Sequence, residues 1–407
     1  MKKKSIIALL FGLFFAVIGF TGLVNTSYAS NDYPVVFVNG LTGWGRGEDG
    51  DNLYWGGTTT DIIKDLNYGT NGKTPNALEG TVSPYSSDYD RAVELYYYIK
   101  GGTVDYGKVH AEKYGHDRYG RTFPGIYPQW NGTNKVHLLG HSMGGQTVRE
   151  LDTLLRNGSP EEVKATGSDT SSLFQGGKDW VDSVVTVAAP SNGTPTATDV
   201  GNLQVVRNLL YTGAIMGVKV PKVVISNDYK LDQWGLTRKQ GQSSLSFLKS
   251  AVNSKVWKTT DNSLYDLTTK GANSINARTD LAPDEHYFTY SGIATKPNAL
   301  GRYVPMSTMN SVDVIGAAYI GAHGNDPRWW PNDGEVPVIS AQYPLNQAAV
   351  RDDDTPDTQT GVWQYNDPEQ GWDHKDFILA DTKQAASLRN PMVNFYDNIV
   401  QKLHALD

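Results

Sequence analysis

The chain has 407 residues, a formal net charge of −7 and no cysteine. That length can bury a core of its own. The missing thiols exclude disulfide staples, a cysteine nucleophile and a lipid-modified N-terminal cysteine. The acidic balance disfavours nucleic acid and anionic membranes as electrostatic partners.

Residues 1–29 read as a signal peptide. Lys2, Lys3 and Lys4 form a positive n-region, Ile6 to Phe20 is apolar, and Ser27-Tyr28-Ala29 is a small-x-Ala cleavage site. Its removal takes the formal charge from −7 to −10, because residues 1–29 carry three lysines and no acid. The alternative is an uncleaved anchor. Against it, Asn25, Thr26 and Ser27 follow the apolar run at once, with no stop-transfer charge cluster. No other run approaches membrane-spanning length, so a secreted, extracellular protein without a stable membrane anchor is expected.

Residues 30–407 are expected to form a single domain. Pro34 to Val38 has the apolar run of a buried strand and leads into a glycine-rich loop, Asn39 to Gly45. Asp90 to Ile99 has helical spacing, with Ala92, Val93, Leu95 and Tyr96 on one side. Val136 to Leu139 is a short strand, and a helix follows with Val148, Leu151 and Leu155 in phase and Asn157-Gly158 as its stop. Val184 to Ala188 is another buried strand. Between residues 195 and 250, Val200, Leu203, Val206, Leu209 and Leu210 lie at amphipathic helical spacing ahead of Gly213 and Gly217. A strand at Tyr287 to Tyr290 and a terminal helix from Pro391 complete the pattern. Alternating strands and helices predict an α/β fold, a mostly parallel central sheet with helices on both faces.

Between the second of these strands and its helix stands Gly140-His141-Ser142-Met143-Gly144. A strand, a glycine-flanked serine and a helix form a nucleophile elbow, in which a tight turn exposes the serine hydroxyl. In the α/β-hydrolase order the acid and then the histidine lie downstream. Four histidines follow Ser142: His286, His323, His374 and His404. His404 falls on the terminal helix and His286 at a strand start. His323 sits in a loop and competes, but His374, in the late polar loop Gln370 to Asp376, is the better base. Asp333, in the turn Asn332-Asp333-Gly334, is the predicted acid, with Asp326 as the alternative. Backbone N–H groups of Met143, next to the nucleophile, and Leu41, in the loop after the first strand, are the predicted oxyanion donors.

Together these residues resemble the secreted lipases of the staphylococcal and thermoalkalophilic Bacillus-Geobacillus type. The likeness runs from about residue 34 to 400. It is carried by the elbow, Gly43-Trp44-Gly45-Arg46, Asp90 to Tyr96, Gly101 to Gly107, Gly120 to Gly125, Leu231-Asp232-Gln233-Trp234-Gly235-Leu236 and Asn332-Asp333-Gly334. The resemblance implies the same triad, Ser142, Asp333 and His374, and the same oxyanion donors. It further implies a structural zinc held by Asp90, His110, His116 and Asp232, clamping an insert at about 90–125. It also implies a structural calcium at Gly321, Asp376, Asp381 and Thr382. The thermoalkalophilic enzymes have Glu where Asp376 stands and Pro where Thr382 stands, and many such enzymes have His where Asn39 stands.

The expected function is therefore a triacylglycerol lipase acting on lipid esters at an oil–water interface through a Ser-His-Asp acyl-enzyme, with a helical lid at about 195–250. A phospholipase or short-chain carboxylesterase would use the same triad. From a different class, an inert secreted lipid-binding or adhesion protein could keep the fold without the chemistry.

Overall fold

A computed structural model describes residues 31–70, 74–200, 228–352, 358–380 and 382–406. The expected signal peptide lies outside them. Strand β1 (Val35–Val38) is wholly buried and pairs in parallel with β2 (Ala77–Gly80) and β3 (Val136–His141). The chain then adds β4 (Val181–Val187), β5 (His286–Tyr290), β6 (Ala349–Arg351) and β7 (Trp363–Tyr365). The seven-stranded order is β6-β7-β5-β4-β3-β1-β2, and every pairing is parallel. The edge strands β2 and β6, and β7 beside the latter, are not predicted from the sequence. They are three or four residues long, too short for a period-2 signal.

Alternation along each strand sends residues to opposite faces. Val35, Phe37, Leu139, Val185 and Phe288 pack on one side with Met392, Tyr396 and Ile399 of the terminal helix Ala385–His404. Val36, Val38, Leu138 and Val184 pack on the other, against the helix α1 (Asp88–Lys100) and, later in the chain, the helix over Met143–Asn157. The sheet is thus covered on both faces, as βα alternation requires. The terminal helix begins six residues before Pro391, which the sequence placed at its start. Leu388 and Met392 lie on its buried face, and their packing outweighs the one backbone donor that proline lacks.

The expected insert at 90–125 divides in two. Residues 88–100 are α1, whose apolar stripe of Ala92, Val93, Leu95 and Ile99 lies against the main sheet. Only the chain after Gly101 leaves the sheet. It forms an antiparallel pair, Gly102–Asp105 with Tyr119–Phe123, enclosing helix α2 (Lys108–Tyr114). The expected lid also divides. Residues 201–227, with Leu203 to Leu210, lie outside the described residues. Its later part instead forms a small core of Tyr229, Leu231, Trp234, Leu236, Phe247 and Leu248, with Tyr85 and Tyr114 packed on it. Among the described residues, no helix is long and apolar enough to cross a membrane.

The helix Met143–Asn157, now α3, runs so close to the sheet that its first residues admit no side chain. A Cβ on Gly144 would lie 2.5 Å from the Val38 carbonyl oxygen, and one on Gly145 would lie 2.4 Å from the Ala189 Cβ. Both obstacles are rigid. Gly145→Ala should therefore cost about 1–3 kcal/mol of overpacking strain, read as a melting temperature several degrees lower by scanning calorimetry. An unchanged melting temperature would show that the helix slides away freely.

Candidate active site and metal centre

Ser142 joins β3 to α3 with φ 56° and ψ −132°, a conformation L-residues rarely adopt. Such strain costs roughly 1–3 kcal/mol and persists only where the surroundings fix it. They do so here: Ser142 N–H donates to the Val187 carbonyl at 2.9 Å, and its own carbonyl accepts from Gly145 N–H at 2.9 Å. A Cβ on Gly140 would fall 2.2 Å from the Gly144 carbonyl carbon, so the bend closes only with glycine's lack of bulk.

The elbow brings the three chosen groups into line. The Ser142 Oγ lies 2.8 Å from His374 Nε2, and His374 Nδ1 lies 2.8 Å from Asp333 Oδ2. Asp333 is 1% exposed. Its Oδ1 accepts N–H bonds from Glu335 at 3.0 Å and Val336 at 2.7 Å, and its carbonyl accepts from His374 N–H at 2.9 Å. The carboxylate therefore cannot turn away from the imidazole. Burial opposes a charge on His374, but Asp333 and Glu335 outweigh it and raise the His374 pKa to about 9. Glu335 Oε2 stands 3.7 Å from Nε2, a neighbour not foreseen from sequence. The alternatives lie elsewhere. His323 faces Asp199 at 3.4 Å, Asp326 pairs with Arg328 at 2.6 Å, His404 bonds the Tyr33 carbonyl at 3.1 Å, and His286 opens β5.

The loop after β1 runs beside the serine: a Cβ on Gly40 would lie 2.7 Å from the Ser142 Cβ. Its shape is fixed from several sides. Asn39 Oδ1 accepts from Val82 N–H at 3.0 Å, and Gly40 N–H donates to the Tyr54 hydroxyl at 2.7 Å. The fully buried Arg91 guanidinium donates to the Asn39 carbonyl and, at 2.8 Å, to Thr147 Oγ1. Among the described residues, the N–H groups of Leu41 and Met143 bond no protein acceptor. Met143 opens α3, where the first N–H groups have no partner within the helix.

A second cluster sits where α1 meets α2. One ligand atom each from Asp90, His110, His116 and Asp261 lie within 4.8 Å of one another. His110 Nε2 is 3.1 Å from Asp90 Oδ1 and 3.4 Å from Asp261 Oδ1, and His116 Nε2 is 3.4 Å from Asp261 Oδ2. Asp90 Oδ1, both Nε2 atoms and Asp261 Oδ2 are buried, and none makes a hydrogen bond. Three of their other polar atoms are engaged, Asp261 Oδ1 by Ser87 Oγ at 2.5 Å among them. His116 Nδ1 bonds the Asp117 carbonyl at 2.9 Å, which leaves the Nε2 lone pair facing inward, and Gln233 holds Asp90 Oδ2 at 2.9 Å. Four orphaned donor atoms aimed at one point fit a cation with closed two-nitrogen, two-oxygen ligation.

Asp232 is not in this cluster. The family resemblance implied it as the fourth ligand, but the structure turns it to Arg121, whose Nε donates to it at 2.9 Å, and Asp261 fills the position. The error has a physical source. Both aspartates can supply a carboxylate, and only tertiary packing decides which one a nearby arginine claims.

Of the residues expected around calcium, Asp376 and Thr382 are in contact. Asp376 accepts from Thr382 Oγ1, from Gln384 Nε2 at 2.8 Å and from Asp373 N–H at 2.8 Å. Gly321, at the end of helix Val314–Ile320, accepts from Tyr303 N–H at 3.0 Å. Among the described residues, no hydrogen bond joins Gly321 to Asp376 or Thr382, and Asp381 lies outside the described residues. Both Asp376 oxygens are already hydrogen-bonded, so Asp376 offers no orphaned ligand atom of the kind seen in the four-residue cluster.

The family model described as "Lipase-like, C-terminal domain" matches residues 31–406. A lipase of Staphylococcus epidermidis is 42% identical over 383 residues, 92% of this chain and 54% of that protein. The chain thus spans about half the length of the curated relatives it matches. The crystal structure of Staphylococcus hyicus lipase superposes with a TM-score of 0.79 at 38% identity, covering 93% of this chain and 97% of that one. EstA from Clostridium botulinum superposes with a TM-score of 0.82 at 36% identity, covering 93% and 88%. With a family model across residues 31–406, relatives about 40% identical over most of the chain and a matching fold, this protein belongs to the lipase-like family of staphylococcal type.

Proposed function

We propose that the chain is a secreted triacylglycerol lipase working through an acyl-enzyme on Ser142. The observation that carries this reading is the pair of 2.8 Å contacts that link Asp333 to His374 and His374 to Ser142. Ser142 Oγ attacks the ester carbonyl carbon as His374 Nε2 takes its proton. Asp333 holds the Nδ1–H tautomer and stabilises the imidazolium. The N–H groups of Leu41 and Met143 receive the oxyanion. His374 then returns the proton to the departing alcohol oxygen, leaving an acyl-serine. Water, deprotonated by the same nitrogen, releases the fatty acid.

Zinc is the proposed occupant of the Asp90, His110, His116 and Asp261 cluster, supplying a cross-link and no reaction chemistry, since all four positions come from protein. Those residues tie α1, α2 and the segment at Asp261 together beside the small core around Trp234. Calcium near Asp376 is supported by oxygen donors only. The lid reading rests on the amphipathic spacing of residues 200–210, which fall almost wholly outside the described residues. Secretion rests on residues 1–29.

Ser142→Ala should abolish both ester hydrolysis and labelling by a serine-reactive phosphonate, and Asp333→Asn should lower kcat by about 10⁴-fold. Absence of labelling in the wild type would favour the inert-module alternative, and labelling that survives in Ser142→Ala would point to a different reactive group. Metal analysis should find about one zinc per chain. His110→Ala and Asp261→Asn should release it and lower the melting temperature, whereas Asp232→Asn should retain it; loss of zinc in the Asp232 variant alone would reverse the assignment. Calcium addition to metal-stripped protein should raise thermal resistance in wild type but not in Asp376→Ala. Triglycerides of graded acyl length, assayed above and below their solubility limit, separate the lipase from a short-chain esterase: a lipase gains activity once droplets form, and an esterase does not.

A further inference from the structure

A buried hydrogen-bond chain runs behind the triad and is not used by the reaction scheme. Tyr54, 3% exposed, packs edge-on against Trp44 and Trp55 at ring separations of 5.4 and 5.3 Å. Its hydroxyl accepts from Gly40 N–H at 2.7 Å and lies 2.8 Å from His141 Nδ1. His141 precedes the nucleophile and is 1% exposed; its Nε2 lies 3.1 Å from the His374 carbonyl oxygen.

The proton inventory allows one arrangement. The His374 carbonyl can only accept, so His141 Nε2 carries a hydrogen. Burial, and then the charge on His374, hold the His141 pKa well below its ordinary value, so the ring is neutral and Nδ1 is a bare acceptor. Burial pushes the Tyr54 phenol up, so it keeps its proton. That proton, with the oxygen already accepting from Gly40, goes to Nδ1. The chain is directional: Gly40 N–H to Tyr54, Tyr54 O–H to His141, His141 Nε2–H to the His374 carbonyl. One end is the peptide preceding the Leu41 N–H. The other is the backbone of the residue whose imidazole deprotonates Ser142.

We propose that Tyr54 and His141 are positioning residues that hold the oxyanion loop and the base loop in register across the nucleophile elbow. The proposal rests on the acyl-enzyme reading of Ser142, Asp333 and His374. Neither side chain touches the ester; each acts through the groups that do. A displacement of about 1 Å in a reacting group can cost about 100-fold in rate. Breaking a link leaves a buried Gly40 N–H or His141 nitrogen without a partner, and the loops shift to satisfy it.

Tyr54→Phe keeps the ring and its packing and removes only the hydroxyl. On a soluble short-chain ester its kcat, per serine titrated by phosphonate, should fall about 10- to 100-fold, with KM within about 2-fold. Affinity for an alkyl boronic acid, which forms a tetrahedral adduct on Ser142, should fall in step. His141→Phe should lose as much, and His141→Gln, whose amide can still reach the His374 carbonyl, should recover part of it. A merely structural role would lower the melting temperature and the fraction of titratable serine, yet leave kcat per titrated serine and boronic-acid affinity at wild-type values. That result in either Tyr54→Phe or, should that variant not fold, His141→Phe overturns the proposal. Activity persisting in Ser142→Ala overturns the acyl-enzyme reading beneath it instead.

Discussion

The turn at Ser142 is the constraint from which the rest of the site follows. An L-residue at φ 56° sits in a conformation that unfolded chains avoid, and the fold holds it there by burying both flanks. Ser142 N–H is fixed to the end of β4, while Gly140, Gly144 and Gly145 let β3, α3 and the oxyanion loop approach to distances no side chain would permit. The strain buys placement: the hydroxyl projects from the end of the parallel sheet, where loops from distant parts of the sequence converge.

Those loops are held by buried polar groups rather than by packing alone. Arg91 is wholly buried, yet its guanidinium reaches the Asn39 carbonyl and Thr147 of α3 at once. Asp333 is buried too, and it spends one oxygen on two backbone N–H groups and the other on His374. Each such group would be costly if unpaired, so each pairing locks two segments together. The Tyr54 and His141 chain extends the same logic from side chains to the backbones of the loops. The four orphaned atoms of the Asp90, His110, His116 and Asp261 cluster are the counterpart: two histidines and two carboxylates turned toward a common point with no hydrogen bond among them, an arrangement that a cation would complete.

Much of this was legible in the sequence where the signal is local. The elbow could be read because a strand, a glycine-flanked serine and a helix are adjacent in the chain. Strands β1, β3, β4 and β5 could be read because their apolar runs are long enough to exceed chance. Asp333 and His374 followed from the order of the partners and from the loops that hold them. Strands β2, β6 and β7, at or next to the sheet edges, escaped because three or four residues carry no period. Tyr54, Arg91 and Glu335 escaped because nothing in their neighbours along the chain says what they face.

The amino-acid order by itself determined the α/β class and the choice of Ser142, His374 and Asp333, since these depend on residue type, order along the chain and short-range spacing, while Asp90, His110 and His116 of the four-residue cluster came from the family resemblance. Tertiary structure alone decided that Asp261 joins that cluster while Asp232 pairs with Arg121, that residues 88–100 cover the sheet instead of leaving it, and that residues 229–248 build a small core. The reason is the same in each case. Two segments of similar chemistry compete for one partner, and the winner is set by which of them the folded chain brings within 3 or 4 Å, a distance that sequence separation does not encode.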